Sequence, residues 1–351
     1  MSEENKDLAT NVEINKAVAR NVDGNGFTIV DYSRHIELVP RVNKLTAQLG
    51  LFTKVFGVSD VAEVERVQEI VSLFQARARG GERNFIGSED AEFNHFKIPF
   101  FPLDRSITAQ DIQNFRQYGE ANAPKTLGVE VARVMRRIRN SHDQLIEKVS
   151  MEAIQGRSYT GGGVGTVYNY YTAWGATQKT ADVDFTDAAT DPRTVIEAEA
   201  RKHIQDQAQD QAGSYKIVAI VGSTWFDGLK NHVLVRDAYN FYSSDKEPLR
   251  RRLGEDAINR VWTTDNVTYI EDISGYTPAG EAFIFPMGIA DMFELHFAPA
   301  DTAQAANTTA QEIYLAYKES DYFREQKVES ETSVIGINKR PELVVKSTGT
   351  F

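Results

Sequence analysis

The stretch from Phe93 to Gly156 constrains the fold more than any other. It opens with FNHFKIPFFPLDRSITAQDIQNFRQYG and runs into one long predicted helix, Pro124 to Gly156. Asn122 and Pro124 sit where a cap and a first-turn proline belong, and Gly156 sits where a helix stops. Val131, Met135, Ile138, His142, Leu145, Val149 and Ala153 recur every three or four residues and predict one buried stripe. Arg133, Arg136, Arg137, Asn140 and Gln144 occupy the other faces. At a rise of about 1.5 Å per residue the helix reaches roughly 45–50 Å, long for an ordinary globular domain. Such a helix is a spine on which the remaining elements must pack.

With 351 residues, 41% hydrophobic and 10% aromatic, the chain can bury a substantial core, and its length suggests two or three domains. It has no cysteine, which excludes disulfides, thiolate metal sites and a cysteine nucleophile. No apolar run approaches the roughly 20 residues of a membrane span, so no membrane partner is expected. The polar N-terminus MSEENKDLATNVEINKAVARN has neither signal-peptide nor transit-peptide character, and a cytoplasmic product is expected. The formal net charge of −11 argues against a protein whose work is gripping nucleic-acid phosphates.

Residues 1–26 carry few large apolar side chains and read as an arm; 27–52 mixes an extended start with a helix-like segment. Residues 53–103 predict a long hairpin. Its tip, QARARGGERNFIGSED, is dominated by Arg77, Arg79 and Arg83 with Gly80 and Gly81, and little there can bury itself. A hairpin of that length is unstable alone, so it must lie on something, and a neighbouring subunit is a natural candidate. Beyond the spine come a Gly- and Tyr-rich stretch, an acidic connector, and a helix from Pro192 to about Gln211. YKIVAIVGS reads as a buried strand and TWFDGLKNHVLVRDAYNFY as a helix. Residues 246–262 read as helical, and NVTYIEDISG, EAFIFPMG, MFELHFAP, EIYLAYKES, REQKVESETSVIG and RPELVVKSTGTF as strands. The fold class is α+β.

Active-site chemistry is hard to find. TGGGVGT (Thr160–Thr166) lacks the lysine of a phosphate loop and follows a helix rather than a strand, so it reads as a flexible hinge. The six histidines are scattered without metal-ligand spacing, and His142 on the apolar stripe reads as a hydrogen-bonded core residue. Gly222–Ser223 lacks the full G-x-S-x-G pattern, and core packing by Trp225 and Phe226 accounts for it better. The carboxylates read as a solvated background. No catalytic, cofactor-binding or metal residue is proposed. Two basic clusters remain. Arg133, Arg136, Arg137 and Arg139 on the spine fit pairing with carboxylates of a second chain better than contact with nucleic acid. Arg250, Arg251 and Arg252 read as a solvated helix start.

The order of parts, together with ARARGG (Ala76–Gly81), FKIPFFPLDRSITAQDIQNFRQYG (Phe96–Gly119), YKIVAIVGSTWFDGL (Tyr215–Leu229) and RPELVVKSTGT (Arg340–Thr350), resembles the tailed-phage major capsid proteins of the lambda coat-protein family. That family has the Hong Kong 97-type fold. Where many members carry Asn-Pro-Leu before the closing strand, this chain reads Ser333, Val334, Ile335. The resemblance implies an N-terminal arm at 1–52 and an extended E-loop at 53–103 lying across the adjacent subunit. It further implies a peripheral P-domain at 104–190 built on the spine helix 124–156, an axial A-domain over most of 191–310, and C-terminal strands 311–351 returning to the P-domain. The implied function is self-assembly into hexamers and pentamers of an icosahedral shell around double-stranded DNA. The implied partners are further copies of the chain, a separate scaffold, a portal, and a decoration protein, with weak, non-specific contact to packaged DNA. No cofactor is implied. The alternatives from other classes are a tube or scaffold protein, which suits the spine and the aromatic content poorly, and an enzyme with an unrecognised site.

Overall fold

The long helix is present as Leu127–Ile154, 28 residues, in a computed structural model that describes residues 30–31, 45–68, 90–112, 127–163, 165–208, 215–240, 260–319 and 325–351. The predicted start signals at Asn122 and Pro124 lie outside the described residues. The predicted stop is where the sequence puts it. Gly156 has φ +88°, and a Cβ there would overlap the Tyr171 ring, so both conformation and space call for glycine. The chain divides into two units: 1–42, 100–146 and 298–333 form the first, and 43–99, 147–297 and 334–351 the second. The helix and the strand Glu325–Asn338 each contribute residues to both.

In the first unit the described strands run in the order Val30–Asp31, Tyr314–Glu319, 325–333, Phe100–Thr108, all neighbours antiparallel. The helix lays Val134, Met135 and Ile138 against Ile107, Ile313, Leu315, Tyr317 and Val328, with Leu127 and Val131 at the margin. Val134 and Ile146 are buried, though the predicted stripe omitted them, and Leu145, which it included, is only half-buried.

The second unit is built on a mixed seven-stranded sheet. Its main order is Lys179–Thr180, Val345–Thr350, Glu281–Met287, Lys216–Val221, Val267–Glu271, Val261–Thr264, and Val183–Asp184 also pairs with Val345–Thr350. The sheet explains why KIVAIV is almost wholly apolar. Ile217, Ala219 and Val221 face one cluster with Trp225, Phe226, Ile196 and Ala200, while Val218 and Ile220 face another with Met151, Ile154, Phe283 and Phe285. A strand covered on both sides has no polar face. The last turns of the spine, 149–154, are accordingly buried all round. A smaller set of strands, Thr53–Phe56, Phe293–Phe297 and 334–338, and the hairpin Val61–Gln68 with Asp90–Lys97 complete the unit. Among the described residues no helix is long and apolar enough to cross a membrane.

Several sequence readings are corrected. The helix expected from Thr224 onward is two, Ser223–Asn231 and Val233–Asn240, because His232 takes an extended ψ of 135°. The helix at Pro192 starts as predicted, with Asp191 capping the Arg193 N–H, but it contains a π-helical turn at Ile196–Arg201 and is described only to Ala208. Val261 and Trp262, assigned to a helix, are strand residues; the rest of that segment, with Arg250, Arg251 and Arg252, is outside the described residues apart from Arg260. In the 27–52 segment only Val30–Asp31 and Leu45–Leu49 form elements among the described residues. The glycine loop is not an open hinge. Its base is closed by the Ser158 N–H to the Tyr168 carbonyl (2.9 Å), the Tyr168 N–H to the Ser158 hydroxyl (2.8 Å) and the Tyr170 N–H to the Gly156 carbonyl (2.8 Å).

Gly222 settles the reading of Gly222–Ser223. A Cβ at Gly222 would overlap the carbonyl oxygens of Pro278 and Ala279, whose chain also receives the Trp225 N–H at 2.9 Å. Ser223 is exposed beside it. Gly222→Ala should therefore destabilise the subunit by about 2–3 kcal/mol or more in urea unfolding, and Ser223→Ala by less than about 0.5 kcal/mol.

Candidate subunit interface

The hairpin is two-faced, as alternation in a strand pair requires. Ala62, Val64 and Phe96 point inward and are buried; Val61, Glu63, Phe93, His95 and Lys97 point outward. The inward face rests on the segment after the spine. Phe96 meets the rings of Tyr168 and Tyr170 edge-on, 5.1 and 5.6 Å between centroids, and lies 6.2 Å from Trp174. The Asn94 amide donates to the Ala173 carbonyl (3.0 Å), and the Tyr168 hydroxyl accepts from the Lys97 N–H (3.1 Å). Arg66 lies 5.7 Å over the Trp174 ring and pairs with Glu342 at 3.3 Å. So the base of the hairpin is carried by its own chain, whereas Phe93 on the outer face is 62% exposed. The predicted tip residues Arg77, Arg79, Gly80, Gly81 and Arg83 lie outside the described residues.

The spine arginines separate into two kinds. Arg133, Arg136 and Arg137 are exposed. Arg133 has Glu130 at 3.7 Å, while neither Arg136 nor Arg137 has a side-chain ion pair among the described residues. Arg137 lines a shallow groove with Leu103, Arg105, Val134 and Ile138. Arg139 is different and corrects the sequence reading, which grouped it with the others. It is 1% exposed, with Nε 3.3 Å from Asp143 and Nη2 3.7 Å from Glu312. The signal was present, since Arg139 sits three or four residues from Met135 and His142 and so occupies the buried stripe itself.

His142 is the hydrogen-bonded core histidine that the stripe predicts. Its Nε2 lies 3.0 Å from the Ser330 hydroxyl, which in turn donates to the Leu103 carbonyl at 2.6 Å. Burial, and then the charge of Arg139, push its pKa down from 6.5 to about 4. The carboxylates are less solvated than expected. Glu147 is buried and accepts from both the N–H (2.9 Å) and the hydroxyl (2.5 Å) of Thr46, 101 residues away. Glu294 is buried between His296 (2.8 Å) and Lys339 (2.5 Å); burial opposes its charge, but the two hydrogen bonds hold it below the usual carboxylate range. Sequence reasoning had no access to the Glu147–Thr46 and Glu294–Lys339 pairs, because each joins parts of the chain far apart in sequence. Among the described residues, no three His, Asp or Glu side chains converge as metal ligands. What the geometry offers is surface for association: a hairpin with an exposed outer face and, on a long helix, the exposed side chains of Arg133, Arg136 and Arg137.

The sequence model of the family described as phage major capsid protein E matches residues 28–348. The major capsid protein of Pseudomonas phage KPP10 is 32% identical over 346 residues, covering 92% of this chain and 97% of that protein. That of Salmonella phage Felix O1 is 24% identical, covering 93% and 97%. In fold, the chain is similar to the mature capsid of bacteriophage PhiM1, with a TM-score of 0.51 at 12% identity over 85% of each chain.

Arg139→Ala leaves Asp143 and Glu312 half-buried without that cation and should cost about 2–4 kcal/mol in urea unfolding of the subunit, whereas Arg136→Ala should change stability by less than about 0.5 kcal/mol. For His142 the folded pKa lies below the unfolded one, so the unfolded chain binds the extra proton. Its contribution is fully present above pH 6.5, is lost as pH falls from 6.5 to about 4, and is flat below. Unfolding free energy measured across that window should fall by up to about 3 kcal/mol more in the wild type than in His142→Gln.

Proposed function

The chain belongs to the phage major capsid protein E family, and from that premise we propose that it closes into hexamers and pentamers of an icosahedral head around double-stranded DNA. It is a major capsid protein of a phage, a structural part of the virion and not an enzyme. The observation that carries the proposal is the hairpin. Its inner face is satisfied by its own chain, and its outer face, with Phe93 and Val61, is left for a neighbour. Rings in which one patch meets a different patch of the next copy are closed heterologous assemblies, and a projecting hairpin meeting a basic helix face suits that geometry.

On this reading 1–52 acts as the N-terminal arm and 53–103 as the E-loop, which reaches the adjacent subunit through Arg77, Arg79, Gly80, Gly81 and Arg83. Residues 104–190 form the P-domain on its spine, 191–310 most of the A-domain, and 311–351 return to the P-domain. Arg133, Arg136 and Arg137 take carboxylates of the neighbouring copy. The acidic whole keeps contact with packaged DNA weak and non-specific. A separate scaffold and a portal complete assembly in the host cytoplasm, and a decoration protein binds the finished shell.

Sedimentation and electron microscopy of the expressed protein, with and without neighbouring phage proteins, test the proposal. Shells, rings or tubes of megadalton mass are expected; a monodisperse monomer at every concentration and ionic strength, scaffold present, would contradict it. Replacing Gly80 and Gly81 by bulky residues should reduce particle yield while leaving the melting temperature of the unassembled subunit unchanged.

A further inference from the structure

The first unit carries a groove of about 130 Å³ between the spine helix and the strand Phe100–Thr108. Leu103, Val134 and Ile138 line it with carbon, and Arg105 and Arg137 line it with charge. Two of its charged groups are already engaged: Asp104 pairs with Lys327 at 3.1 Å and Arg105 with Asp111 at 3.8 Å. Arg137 is exposed, and its guanidinium has no partner among the described residues. An apolar space of about 150 Å³ accepts a benzene ring, so the groove has room for one phenyl. An aromatic ring with a carboxylate beside it would cover the apolar lining and pair the open guanidinium together.

The chain presents that combination once among the described residues. Four of its phenylalanines are exposed there: Phe56, Phe93, Phe100 and Phe351. Phe56 stacks on Phe297 and Phe351 on Phe185, so both rings already have a partner in their own chain. Phe100 lies opposite Ser333. Phe93 is the most exposed of the four, and the residue opposite it in the hairpin is Glu65. Directly opposite residues of an antiparallel pair project from the same face, with Cβ atoms about 4.5–5.5 Å apart. Glu65 is itself exposed and without a side-chain partner among the described residues. Ring and carboxylate therefore leave the hairpin side by side.

We propose that Phe93 of one copy seats in this groove of a second copy, its ring on Leu103, Val134 and Ile138, with the Arg137 guanidinium donating to Glu65. The inference rests on the capsid reading, which supplies a second copy as the partner. It deepens that reading by naming the side chain that anchors the hairpin and the place that receives it. A seated aromatic ring beside an arginine is what the centres of protein interfaces concentrate, and burying the ring removes much of its surface from water. The giving patch differs from the receiving one, so each copy can do both, as a closed ring requires.

Phe93, Glu65 and Arg137 are all exposed, so substituting them should leave the melting temperature of the unassembled subunit unchanged. Phe93→Ala should lower shell yield roughly tenfold or more. Glu65→Arg and Arg137→Glu should each do the same, and the two combined in one chain should restore the yield, because the pair is then reversed rather than broken. A cryo-electron map of wild-type shells should show Phe93 of a neighbouring copy in the groove. Wild-type yield from Phe93→Ala, charge swaps that have no effect or are not repaired in combination, and losses that only track a lowered melting temperature would each overturn the inference. So would a groove that is empty in the shell, holds another group, or holds Phe93 of its own chain. All of these leave the capsid function intact, whereas failure of the wild type to form shells would overturn the function itself.

Discussion

The first unit depends on the buried charge of Arg139. A guanidinium at 1% exposure is tolerable only with its carboxylates in place, and Asp143 from the same helix and Glu312 from the chain entering Tyr314–Glu319 supply them. One turn on, His142, Ser330 and the Leu103 carbonyl join the helix to two strands by a second polar chain. These contacts are directional where the surrounding apolar contacts are not. Val134, Met135 and Ile138 favour any position that keeps them dry, whereas the polar pairs select one rotation of the helix on its strands. The same selection turns Arg136 and Arg137 outward. In the second unit the helix is held differently, by burial on every side from 149 to 154 and by Glu147 on Thr46.

This division accounts for how a long helix serves a shell. The outward arginines are held in a fixed direction by residues that never leave the core, so their presentation costs little ordering on association. The hairpin follows the same logic. Phe96 and its aromatic cradle fix the root, Arg66 braces it against Glu342 and Trp174, and the outer face is left free. Both candidate surfaces are therefore backed by buried contacts in their own unit. A protein whose partner is itself gains from that arrangement, because every copy must present the same surface in the same geometry.

Much of this was legible in the sequence, and what was not has physical causes. The spine could be read because its period is long and its stop is a glycine; Lys216–Val221 and Glu281–Met287 could be read because strands covered on both faces are continuous apolar runs. The ordered parts and local motifs also carried the family. The break at His232 and the π turn at Ile196–Arg201 were invisible, since both are fixed by tertiary packing rather than by a local breaker. Arg139 was misread because residue type was given more weight than position in the period. Glu147 and Glu294 could not be anticipated, for each depends on a partner, Thr46 and Lys339, brought to it only by the completed fold.

The central claim is that the hairpin of one copy lies on the arginine row of the next. The absence of cysteine from the chain makes a direct measurement available. Subunits carrying Glu63→Cys on the hairpin's outer face and subunits carrying Arg136→Cys on the spine can be co-assembled, oxidised and run on a non-reducing gel. The account predicts a covalent dimer of one subunit of each kind, formed in assembled particles, absent from unassembled protein and absent when either cysteine is omitted. Particles that assemble fully and yield no such dimer, with further cysteine pairs along the two surfaces equally silent, would contradict it.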